Sequence, residues 1–158
     1  MIEILQDVFK KGLEGYDSHI NPEKALSEVD SELCKKNLDG FPHSICDLLH
    51  HMITWQDVVV DSIKGKDIDW DDISKNKNWP TLESKEDASN FDKLKNRFLE
   101  GIQQVSNIII NTDLSKSISS WRNIPNVQAL MIVVTHNSYH LGQIMVLKKN
   151  LLEKGADN

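Results

Sequence analysis

Between Val127 and Leu147 the chain is apolar almost all round: Val127, Ala129, Leu130, Met131, Ile132, Val133, Val134, Leu141, Ile144, Met145, Val146 and Leu147. Wound as a helix, such a stretch has little room for a solvated face and must be buried on more than one side. That requirement selects an all-helical packing in which this segment is a central member. Two histidines, His136 and His140, interrupt it at a spacing of four, which stacks them on one helical face. They share that face with Ala129, Val133 and Leu147, so they point into packed protein. Buried imidazoles need partners, and a single metal ion would satisfy both.

The same spacing occurs in zinc proteases, where a glutamate directly after the first histidine serves as general base. Here that position is Asn137. An amide cannot accept a proton, so peptidase chemistry is excluded.

The remaining helices follow from periodicity. Ile2, Leu5, Val8, Phe9 and Leu13 predict a first helix over 2–16, weakened near its end by Gly12 and Gly15. Asn21-Pro22 supplies an N-cap and a first helical residue for a short helix through Ala25, Leu26, Val29 and Leu33, ending before Asp39-Gly40. Ser44, with Asp47 three residues on, opens a second long helix as a capping box. Phe91, Leu94, Phe98, Ile102, Val105 and Ile109 predict a third over 85–110. Asn126 is placed to cap the fourth. Residues 65–79 and 111–125 read as long connections, the first able to cover a site, with Trp70 and Trp79 either anchoring it or patching the end of the core. No strand is predicted. The expectation is one domain over 1–158, an all-α four-helix bundle with long crossover connections.

Within the second long helix, adjacent His50 and His51 stand about 100° apart in projection and cannot both face inward. His51 shares a stripe with Leu48, Trp55 and Val59 and is nominated as the inward one. His50, with Asp47, Thr54, Asp57 and Asp61, is assigned to a solvated face. His51, His136 and His140 then give three imidazole ligands with coordination positions left open, as in a catalytic zinc site; nickel, iron and manganese also suit imidazole. Gln143 could reach an open position, support a ligand, or be hydrogen-bonded within the bundle. His19 and His43 read as turn or cap residues, useful as proton shuttles only if the loops bring them in. Because each ligand must be neutral, an ion should leave around or below the ordinary histidine pKa of about 6.5.

Net charge of −6 and the lack of a basic patch argue against a nucleic-acid partner. No apolar run reaches the length of a membrane span, and the opening Met1-Ile2-Glu3-Ile4 does not read as a signal peptide. Cys34 and Cys46 lack metal or redox-motif spacing, which predicts reduced thiols and a cytoplasmic protein.

Pro42-His43-Ser44-Ile45 leading to Leu48-Leu49-His50-His51-Met52 and Trp55-Gln56-Asp57, followed by His136-Asn137-Ser138-Tyr139-His140-Leu141-Gly142-Gln143-Ile144, resembles the DinB/YfiT-like superfamily over essentially the whole chain. The family's first ligand, a histidine four residues before a tryptophan, lands on His51. The resemblance implies a four-helix bundle with a three-histidine divalent-metal site, a homodimer, and binding of thiol or substrate near Trp55, Tyr139 and Gln143. Members of known activity transfer low-molecular-weight thiols, as do bacillithiol S-transferases, or isomerise with mycothiol. A coordinated thiol loses its proton near neutral pH, which would allow attack on an electrophilic substrate without a protein base. A metal-dependent hydrolase and a non-catalytic, metal-stabilised dimeric interaction module are the alternatives.

Overall fold

A computed structural model describes residues 1–16, 19–80 and 90–156. Four long helices dominate: α1 (Ile2–Glu14), α4 (Ile45–Ile63), α6 (Phe91–Asn111) and α7 (Asn126–Ala156). Each packs against two of the others, α4 and α1 both lying between α6 and α7. Their inner faces form one core that includes Leu13, Leu49, Met52, Phe98, Ile109, Leu130, Leu141 and Ile144, all with essentially no exposed surface. The protein is all-α, as the periodicity required.

Local chemistry sets the helix ends. Gly15 closes α1 at φ 79°, a left-handed position that an L side chain resists. His19 lies against the same end, its ring nitrogens 2.6 Å from the Gly12 carbonyl and 2.8 Å from that of Ile20, which is the capping role expected of it. The short helix predicted through Ala25 and Leu33 is two pieces, α2 (Pro22–Ala25) and α3 (Ser31–Lys35). Glu28 at φ 63° turns the chain between them, and Asp30 accepts from the Leu33 amide to start α3. Ser44 and Asp47 form the expected capping box of α4. For α6, Asn90 accepts from the Lys93 amide, so the helix begins at Phe91; the expected start at residue 85 falls outside the described residues.

The connection after α4 is more ordered than its aperiodic sequence suggested. Trp70–Asp72 forms one helical turn, α5, with Asp69 as its cap, and continues as a π-helical turn over Ile73–Lys77 in which the Asn78 amide donates to the Ile73 carbonyl at 2.7 Å. The other connection holds a two-residue antiparallel pair, β1 (Ser117–Ile118) with β2 (Ile124–Pro125), turned by Arg122 and Asn123, both at positive φ. Periodicity cannot register pairings this short. Asn126 spends its amide on Thr112 Oγ1 and the Asp113 carbonyl, tying the connection to the start of α7.

Two expectations are corrected here. Cys34 and Cys46 are joined in a disulfide, their Cα atoms 5.1 Å apart, both buried where α3 lies on the first turn of α4. Spacing along the chain carries no information on that approach, which is set by how α3 folds back. The pairing removes the support that free thiols gave to a reducing compartment. His50, assigned to solvent, is half-buried with Nδ1 enclosed. The 67–77 segment lies over the polar face of α4 and, with His50, Thr54, Asp57 and Asp61, encloses a cavity of about 610 Å³. Among the described residues, no helix is long and apolar enough to cross a membrane.

Gly101 of α6 faces Gln56 of α4. A Cβ there would collide with the side chain of Gln56, which is fully buried. Glycine is what lets α4, the helix bearing His51, sit this deep.

Candidate metal centre

His51 of α4 and His136 and His140 of α7 meet between the two helices. Their ring centroids lie 4.5 to 4.8 Å apart, and one ligand atom from each falls within 4.8 Å of the others. His51 and His140 are each 6% exposed, enough burial to make their hydrogen bonds matter.

The outer nitrogens decide which atoms face inward. His51 Nδ1 lies 2.6 Å from the Asn78 carbonyl, and a carbonyl only accepts, so Nδ1 carries the proton and Nε2 keeps its lone pair. His140 Nδ1 donates in the same way to Gln143 Oε1 at 2.6 Å, leaving its own Nε2 free to bind. In the protein alone, His136 Nε2–H donates to His51 Nε2 across 2.9 Å. Two lone pairs and a third nitrogen that shares a proton therefore converge, and a cation replacing that proton would draw on all three. Such outer partners usually accompany ligand histidines. His136 Nδ1 is buried with no partner among the described residues, so this ring is the least constrained of the three.

Burial works in the same direction. Desolvation pushes the His51 imidazole down to about 4; the Asn78 carbonyl opposes this, and His140, His43 and His50 add to it. His136 is pushed down to about 3, again chiefly by desolvation, then by His140 and His51. His140 is also lowered, by burial against the opposing Gln143 bond. All three rings are held neutral at pH 7, the form a metal needs. Among the described residues, no carboxylate or thiol joins the group. An ion held by three neutral nitrogens keeps its full positive charge in a buried place and favours an anionic further ligand. The residues therefore fit a divalent cation with open positions.

Other expected residues fall around this trio. Gln143 supports His140 and donates from Nε2 to the Tyr139 hydroxyl at 3.1 Å; Tyr139 itself is 64% exposed. Trp55 stands edge-on to His51 and donates Nε1–H to Asn78 Oδ1 at 3.0 Å. It continues outward to Trp121 and then Trp70, whose Nε1–H donates to the Ser120 carbonyl. Asn137 is fully buried in the position where the proteases carry their base.

Three residues have contacts at the site that the sequence did not specify, two of them expected only as an anchor of the covering connection (Trp79) or as a loop-dependent shuttle (His43). Trp79 lies flat on His51, with centroids 4.0 Å apart and planes 4° from parallel. His43, expected to be a turn or cap residue, covers the other face of Trp79 at 3.6 Å and 5°. Asn78 acts through a main-chain carbonyl, which leaves no signature in the sequence. For Trp79 the available signal was its place at the end of a connection long enough to cross the site.

The model of the DinB family matches residues 20–151, a span that includes all three histidines. Comparison with curated proteins returns no match.

Proposed function

The chain belongs to the DinB family, and from that premise we propose that it is a divalent-metal-dependent transferase in which a low-molecular-weight thiol attacks an electrophilic substrate. The observation that carries this reading is the convergence of three neutral imidazoles with no carboxylate beside them among the described residues. His51, His136 and His140 would hold the ion, zinc, nickel, iron or manganese, through Nε2. When bound, the ion supplies Lewis acidity that brings the pKa of a thiol or a water down toward neutrality. The protein's own groups orient the ligands: the Asn78 carbonyl and Gln143 fix two rings, while Trp79 and Trp55 shield His51 from water. Trp55, Tyr139 and Gln143 are the proposed contacts for thiol or substrate.

The first test is the metal content of the wild type, His51→Ala, His140→Ala and His50→Ala. About one ion per chain in the wild type and His50→Ala, with loss from the other two, supports the site and justifies thiol-transfer assays. Equal content in all four would remove it.

Hydrolysis needs a proton-transfer partner as well as an activated water. His43, stacked on Trp79, which in turn covers His51, is the residue that reading requires. A hydrolytic activity lost in His43→Ala, with thiol transfer absent throughout, would favour it. We also propose a homodimer, because Ile2, Ile4 and Val8 on α1 and Met131 and Val146 on α7 are each about half exposed or more. Light scattering on the wild type and Val8→Glu tests this: a dimer mass that falls to a monomer supports it.

A further inference from the structure

Residues 70–79 form a strap that leaves α4, turns through α5 and the π-helical turn, and returns across the helix it left. Its contacts concentrate on the ligand. Thr54 donates to the Lys77 carbonyl at 3.1 Å. His51 Nδ1–H donates to the Asn78 carbonyl, and Trp55 Nε1–H to the Asn78 side chain. Trp79 then covers the face of the His51 ring and is itself covered by His43. At the far end, the Trp70 indole anchors the strap to Ser120 in the β1–β2 connection. Both the tautomer and the plane of His51 are thus set from outside its own helix. The partner of His140, by contrast, is Gln143 on the same helix, one turn away.

We propose that Asn78 and Trp79 are positioning residues for His51, and that closure of this strap is coupled to ion binding at the three histidines. The proposal rests on the metal-site reading above. Its physical basis is reciprocal. With the strap closed, the His51 proton is held on Nδ1 and the Nε2 lone pair faces its two partners. With the strap open, the ring can rotate and exchange tautomers. An ion on Nε2 makes Nδ1–H a stronger donor and tightens its bond to the Asn78 carbonyl. Coupling between two equilibria is symmetric, so the factor by which closure raises ion affinity is the factor by which the ion favours closure. The His43–Trp79–His51 stack makes the coupling specific to a flat aromatic residue at position 79.

The test uses the full chain, metal-free and loaded with zinc or cobalt. Hydrogen exchange should slow about tenfold or more at hydrogen-bonded strap amides, such as Ile73, which donates to the Asp69 carbonyl, and Asn78, which donates to that of Ile73, when the ion is added. Trp79→Ala should weaken ion affinity by about 10- to 100-fold, as loss of an outer partner does elsewhere, and abolish that slowing. Trp79→Phe should recover most of both, and His43→Ala should give a smaller loss in the same direction. Unchanged strap exchange on loading, or wild-type affinity in Trp79→Ala and His43→Ala, overturns the coupling. If the wild type retains its ion and His140→Ala does not while these strap results are negative, only the coupling fails. If the wild type binds no ion, the site reading and the coupling fall together.

Discussion

The α1–α6 side and the α4–α7 side of this protein both bury apolar faces, but they bury different polar groups with them. Between α1 and α6 the inner face is Phe9, Leu13, Phe98, Ile102, Val105 and Ile109, and one side-chain amide, Gln6, reaches the last carbonyls of α6. Helices α4 and α7 bury His51, Gln56, Asn137 and His140, and among the described residues the side-chain amides of Gln56, set against Gly101 of α6, and of Asn137 have no partner. Buried polar groups cost stability unless satisfied. Both sides contribute to the apolar core, and the second gives up part of its stability to make a place for chemistry.

Substitution of a ligand tests the division most severely. His51→Ala or His140→Ala should abolish retention of the ion through desalting while the metal-free protein melts within a few degrees of the wild type. Phe98→Ala should do the opposite, costing about 3–5 kcal/mol by urea denaturation while ion affinity of the folded fraction is unchanged. Opening the Cys34–Cys46 bridge, by reductant or Cys46→Ser, should cost about 3 kcal/mol, given the 12-residue separation. Alkylation under native conditions should label neither sulfur before reduction.

Acid should weaken the site side. The three imidazoles are held below their unfolded value near 6.5, so below that pH the unfolded chain binds protons that the folded chain refuses. Stability of the metal-free protein is therefore full above about pH 6.5 and falls as pH drops toward 4, where His51 begins to ionise. The ion should be retained to correspondingly lower pH than an exposed histidine trio would allow, as measured by dialysis and elemental analysis between pH 7 and 4. The smallest effect belongs to His50→Ala, expected within about 1 kcal/mol and without change in ion content. A large loss there would show that the cavity over the polar face of α4 belongs to the site.

Much of this was legible in one dimension. The four long helices, the capping box at Ser44 and the inward choice of His51 over His50 all follow from spacing, because a helix converts sequence position directly into direction. The likeness of two widely separated segments to a known family led to the same three histidines that stand within 4.8 Å of one another. The failures share a cause as well. His50 was assigned to solvent because its own helix presents it outward, and only another segment lying over that face buries it. Cys34 and Cys46 read as separate thiols in the sequence because the connection over 36–44, which turns at Gly40 with φ 84° and lays α3 on α4, has no period to announce it.

The sequence by itself therefore determined the helices, their buried faces and the identity of the converging imidazoles, since these depend on interactions within one helix turn or on apolar period. Tertiary structure alone decided the tautomer of His51, the stacking of His43 and Trp79 over it, and the bridge between the cysteines. Each of these depends on a contact between segments distant in the chain, and the first is made by a backbone carbonyl, a group that every residue carries.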